Sequence, residues 1–184
     1  MSQFKGSVFE STRVFTETEF GAGATARVLA ELDASDRELL SGISVLGWYP
    51  VEPILRYHHA LDRVFGNGDL SVCMRAGRFS AGWAFNNVLK FLLRFQTPFS
   101  LMERAGNVWD RYHDSGRWEI EAQGRQRTLG HLHEFTVRDP AFCARLRGWV
   151  HGAVELTGGK RVVVVESRCV SRGHDHCAFL SSWQ

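Results

Sequence analysis

The 184-residue chain is short of most features that would place it quickly. No stretch approaches 18 consecutive apolar residues, so no membrane-spanning helix is expected. The opening Met1-Ser2-Gln3-Phe4-Lys5-Gly6 has no apolar segment of the signal-peptide kind. With only 4 Cys, this points to a reduced, cytoplasmic setting, where thiols serve metals more readily than disulfides. The net charge is only +2, and Lys and Arg are scattered rather than striped, so a nucleic-acid partner is not expected. There is no GxSxG, HExxH, P-loop or dinucleotide fingerprint, and an enzyme is the less favoured expectation. Gly21-Ala22-Gly23-Ala24 lacks the later glycine and the preceding buried strand of a nucleotide site. Repeats, low-complexity tracts and linkers are absent as well.

What is present argues for one folded domain over residues 1–184. Hydrophobic residues make up 44% and aromatics 12%, with 6 Trp and 13 Phe, enough for a substantial core. Residues 4–20 are rich in Phe, Val and Thr and alternate loosely, which suggests a strand or hairpin. Short helical runs follow at 25–32 and, capped by Asp33, on to Leu40. Ile54, His58, Leu61 and Phe65 share one helical face. Gly77, Ala81, Ala84, Val88 and Leu92 belong to the stripe of the next helix, and its small residues permit close approach by another helix or by a partner subunit. Thr97-Pro98 starts a further helix, with Leu101, Ala105, Val108, Trp109 and Tyr112 inward. Residues 117–122 and 125–137 read as an antiparallel hairpin. Asp139 and Pro140 open a last helix, and two strands near 160–169 and 176–183 close the chain. The class expected is α+β, with central helices packed on an antiparallel sheet.

Chemistry gathers near the C-terminus, in Cys143, Glu166, Cys169 and Cys177. Thiolates and a carboxylate are competent ligands for a tetrahedral metal, and a reversal through 172–175 would bring Cys169 and Cys177 together. Cys143, in the first turn of a helix, would have its thiolate favoured by the helix dipole. His174 and His176 are rival ligands, and packing as small hydrophobes is the bland alternative for the cysteines. Cys73 lies on the inner face of its helix, where packing outweighs a nucleophile's role.

Glu166-x-x-Cys169, Gly173 and Cys177-Ala178-Phe179 together resemble the C-terminal pattern of the 4-vinyl reductase domain family. In the branch that forms the sensor domain of phenol-responsive activators, a zinc is held by a helix Cys, a Glu and two Cys. The spacing here is similar. The resemblance implies a structural zinc on Cys143, Glu166, Cys169 and Cys177, and a fold related to TRAPP-core subunits and, more distantly, to haem–nitric-oxide-binding domains. A second resemblance, to small standalone myxobacterial proteins, lies in the middle of the chain.

The same resemblance implies an apolar cavity for a small hydrophobic or aromatic ligand. Candidate lining residues are Trp48, Tyr49, His58, Trp83, Phe91, Trp109 and Trp118, although each suits an ordinary core better than a pocket. Haem is a further candidate, with His58, His59, His131 or His133 as axial ligands. With no DNA-binding or ATPase module in these residues, the expectation is a sensor-type domain, most simply a homodimer. The alternatives are a dimeric scaffold without ligand and an enzyme on a tetrapyrrole or aromatic substrate.

Overall fold

The computed structural model describes residues 2–85 and 97–184. A short strand, β1 (Gln3–Lys5), pairs antiparallel with β2 (Trp48–Pro50). Between them run α1 (Gly6–Phe20), α2 (Ala24–Ala30) and α3 (Ala34–Ser41). The strand or hairpin expected over residues 4–20 is therefore corrected to a helix. Its buried positions, among them Val8, Phe9, Thr12, Phe15 and Thr16, step by three and four around one face. The Thr12 and Thr16 hydroxyls donate to the carbonyls of Val8 and Thr12. Burying these threonines on a helix therefore leaves no orphaned donor, and tertiary burial overrides their strand preference.

The middle of the chain supplies α4 (Val51–Phe65), α5 (Ser71–Ala84) and α6 (Pro98–Trp109). Then come β3 (Arg117–Ala122), β4 (Arg127–His133), α7 (Pro140–Leu156), β5 (Val163–Arg168), a 3-10 turn (Val170–Arg172) and β6 (Cys177–Ser182). Asp139 caps α7 as expected, accepting from the amides of Ala141 at 2.8 Å and Phe142 at 3.4 Å. The four long strands form one antiparallel sheet in the order β3-β4-β6-β5, so the α+β class holds. Thr128 and Leu132 of β4 and Cys177, Phe179 and Ser181 of β6 face inward, at the alternate positions a one-sided sheet requires.

The small-residue stripe finds its partner within the chain. A Cβ on Gly77 of α5 would stand 1.8 Å from the carbonyl oxygen of Arg145, and one on Gly148 of α7 would stand 1.8 Å from that of Met74. The two helix backbones thus touch, with glycine on both sides. The expected continuation of the stripe through Val88 and Leu92 lies outside the described residues. Among the described residues, no helix is long and apolar enough to cross a membrane.

Candidate functional site

Helix α7 presents Phe142, Arg145, Leu146 and Trp149 at the i, i+3, i+4, i+7 spacing of a single face. That face closes one side of a cavity of about 90 Å³. Ser7, Val8 and Ser11 of α1 and Ser80 and Trp83 of α5 form other walls. Trp109, Tyr112, His113 and Trp118 supply the aromatic floor.

Three polar groups interrupt this apolar lining. Arg145 is 5% exposed. Its Nη2 donates to the Val8 carbonyl at 3.3 Å, to Ser11 Oγ at 3.2 Å and to Ser80 Oγ at 3.0 Å, and its Nε to Thr12 Oγ1 at 3.4 Å. All of these acceptors are neutral. Burial draws its pKa down to about 10, which leaves it charged at neutral pH. His113 has Nδ1 3.3 Å from the Trp109 carbonyl, so that nitrogen carries the proton. Its Nε2 is buried without a partner among the described residues, an orphaned acceptor. Burial first, and then the Arg145 charge, lowers the His113 pKa to about 3, so the ring is neutral. The third group is the Ser7 hydroxyl, whose oxygen is also buried without a partner among the described residues.

The residue next to Phe142 on α7, Cys143, belongs to a second cluster. Cys143 in the first turn of α7, Glu166 on β5, Cys169 just beyond it and Cys177 at the start of β6 bring their ligand atoms within 4.8 Å of one another. Cys143 and Cys169 Sγ are 3.2 Å apart, well beyond the ~2.05 Å of a disulfide, and all four cysteines of the chain are free thiols. A hydrogen bond from Cys143 first of all, offset by burial, brings the Cys177 thiol down to about 7. The same bond, with burial, pushes Cys143 up. One Glu166 oxygen is buried without a partner among the described residues, and the other lies 3.4 Å from Arg172. Three sulfurs and a carboxylate oxygen aimed at one point form a donor set that could hold a thiophilic cation. The rival histidines are engaged elsewhere. His174 Nδ1 lies against the Cys169 backbone, and His176 bonds to His131 at 3.0 Å and to Asp175 at 2.8 Å.

Of the expected pocket residues, Trp83, Trp109 and Trp118 line the cavity. Trp48 and Tyr49 do not. Trp48 is 38% exposed beneath the Lys5 ammonium, and the Tyr49 hydroxyl accepts from the Ser44 amide. His58 is buried outside the cavity with Nε2 3.3 Å from Thr12 Oγ1, and Phe91 lies outside the described residues. Nor do the other proposed axial histidines reach the cavity. His59 pairs with Asp139, and His131 and His133 stand on the outer face of the sheet beside His176. The residues that sequence reading missed are Arg145, His113 and Ser7. Arg145 alone left a trace, as a charge within the otherwise apolar stripe of α7.

No family model and no curated protein matches the sequence. Solved structures do match, and they define the class of fold as an α+β domain of the H-NOX type. An H-NOX protein from S. oneidensis in the Fe(II)NO state aligns over 98% of this chain and 99% of its own, at 17% identity and a TM-score of 0.73. A mutant H-NOX protein from the same organism, in the Fe(II) state, gives 0.78 at 15% identity, over 98% and 96%. An unliganded Fe(II) H-NOX protein from K. algicida gives 0.72 at 9%, again over 98% and 96%.

This comparison corrects the resemblance to the 4-vinyl reductase family and the TRAPP-related fold it implied. The C-terminal signature spans one hairpin, whereas the H-NOX likeness spans 98% of the chain. The zinc that the resemblance implied is withdrawn with it, because the matching structures are described as Fe(II) proteins. Haem itself is then a question for this chain's own residues. His113 Nε2 and Arg145 have the chemistry of an axial ligand and a carboxylate partner. The space does not match: about 90 Å³ is on the scale of a single small ring, and a porphyrin is several such rings. The His113 ring is also stacked on Trp109 at 3.8 Å, with the Phe135 and Phe142 rings close to right angles to it. Haem does not fit the cavity as built.

Proposed function

We propose that this chain is a sensor-type domain that binds a compact, largely apolar small molecule in the cavity between α1, α5, α6 and α7. The observation that carries this reading is the pairing of an aromatic wall with two orphaned polar atoms, Ser7 Oγ and His113 Nε2. A buried polar atom without a partner costs about 1–3 kcal/mol, and a bound ligand removes that cost. Benzene titrated into the protein during thermal unfolding tests the reading. The expected result is a concentration-dependent rise in Tm, lost when Ala84→Leu fills the cavity. No rise at millimolar concentration with benzene or with a single-ring compound that carries a polar group would overturn it.

Within this reading, the Cys143, Glu166, Cys169 and Cys177 cluster takes up one thiophilic divalent cation. All four protein ligands would be used, so its role is to tie the start of α7 to the β5–β6 hairpin. Because α7 carries both Cys143 and the cavity face, the tie fixes one wall of the ligand site. A second reading, a homodimeric scaffold, draws on edge strand β5, where Val163 and Val165 are 54% and 51% exposed. Light scattering with a Val165→Lys variant separates the two: a dimer that this variant dissolves favours the scaffold.

A further inference from the structure

The polar chemistry of the cavity is lopsided. Arg145 brings a full positive charge into the interior, and none of the ion pairs among the described residues involves it. Residues 86–96 contain no Asp or Glu, so no counter-ion can come from that segment either. The serine hydroxyls around Arg145 donate to backbone carbonyls and accept from its guanidinium, so they meet its hydrogen-bonding needs without meeting its charge. Ser11 Oγ donates to the Val8 carbonyl at 3.0 Å, and Ser80 Oγ to the Ala76 carbonyl at 2.8 Å. These neutral oxygens satisfy Nε and Nη2 but bring no opposite charge, and among the described residues the buried charge stays unpaired, at a cost that neutral contacts offset only in part. The neighbouring Ser7 hydroxyl, without a partner among the described residues, is a donor on the same cavity wall.

We infer that the cavity ligand is a compact carboxylic acid bound as its anion, with its head on Arg145 and Ser7 and its apolar body against the tryptophans. The inference rests on the ligand-binding reading above and names the chemical class that reading leaves open. A guanidinium and a hydroxyl supply the charge-assisted donors a carboxylate accepts. Trp83, Trp109, Trp118 and Trp149 supply an apolar face that inorganic phosphate or sulfate would leave empty. The volume of about 90 Å³, below the ~150 Å³ of a cavity that takes benzene, sets the scale at no more than one ring or a short chain. His113, with its acceptor nitrogen among the lining groups, adds a place for one hydroxyl on that body.

The test compares benzoate, its uncharged isostere benzamide, and benzene, each titrated into the full chain and followed by calorimetry and tryptophan fluorescence. Benzoate is expected to bind at least tenfold more tightly than benzamide. In Arg145→Met that preference should vanish, with benzene binding retained and Tm unchanged or raised. In Ser7→Ala the preference should shrink several-fold, which keeps the inference testable if Arg145→Met does not fold. Benzoate binding no more tightly than benzamide, while benzene binds, would overturn the carboxylate and leave the ligand-binding reading intact. Failure of all three probes would overturn both.

Discussion

The carbonyl oxygen of Arg145 lies 1.8 Å from where a Cβ on Gly77 would stand. The residue that carries the cavity's charge is thus held by backbone contact between α5 and α7, and Gly148 against the Met74 carbonyl repeats the contact one turn on. A methyl group at either glycine must drive the helices apart. Gly77→Ala and Gly148→Ala are each expected to cost about 2–4 kcal/mol, because overpacking against backbone outweighs the ~1 kcal/mol gained in helix propensity. Gly82, on the same helix, has nothing within 4 Å of its Cβ position, so Gly82→Ala should stabilise by about 0.5–1 kcal/mol. Denaturant midpoints for the three variants check the prediction. An equal effect at Gly77 and Gly82 would contradict the close crossing.

Acid should unfold this domain through two histidines. Burial lowers both His58 and His113 from the ordinary 6.5 to about 3. The charge facing both is Arg145, and His59 adds to it at His58. The unfolded chain therefore binds protons at these sites from about pH 6.5 downward, while the folded chain does not until about pH 3. Stability is full above pH 6.5 and falls as pH drops through that window, by up to ~1.4 kcal/mol per pH unit for each histidine. Unfolding free energies measured from pH 7 to pH 4 should show this slope, and His58→Gln should remove about half of it. A flat profile would mean that the rings are hydrated or charged in the folded state.

How much of this could be read from the residues varies with the range of the interaction. Local signals served well: the Asp139-Pro140 cap, the Asp33 cap and the hairpins around Gly124 and Gly173 depend on neighbours a few positions away. The α1 error came from judging Phe9, Thr12, Phe15 and Thr16 by strand preference, when their three-and-four spacing and shared burial decide the matter. The convergence of Cys143, Glu166, Cys169 and Cys177 followed from spacing along one helix and one hairpin. The cavity did not, because Ser7, Ser80, His113 and Arg145 meet only through tertiary packing. Trp48 and Trp109 look alike as sequence, and only the fold puts one outside and the other on the cavity floor.

The donor cluster makes its own prediction. Purified under reducing conditions, the protein should carry about one thiophilic divalent cation per chain by elemental analysis. Cys169→Ser should lose it, and Cys73→Ala should retain it, since the Cys73 thiol bonds to the His58 carbonyl at 3.4 Å, away from the cluster. Stripping the cation with a chelator should lower Tm, because binding free energy at a site formed only on folding is folding free energy. A metal-free protein with the same Tm as the native one would reduce the cluster to packed thiols.

The likeness to Fe(II) proteins raises the haem question once more, and the chain answers it with a measurable contrast. Fold alone carries no cofactor; a cofactor needs the space and the ligand together. Here the ligand chemistry is present in His113, but the ring is stacked on Trp109 and edged by Phe142, and the cavity is on the scale of a single ring. Hemin titrated into the protein should therefore give no stoichiometric complex, and its absorption spectrum should be the same with His113→Gly as with the native chain. A one-to-one complex whose absorption band depends on His113 would mean that α6 and α7 part to admit it. In that case benzoate and hemin would compete for Arg145, and the apparent dissociation constant of hemin would rise in proportion to benzoate concentration without reaching a plateau.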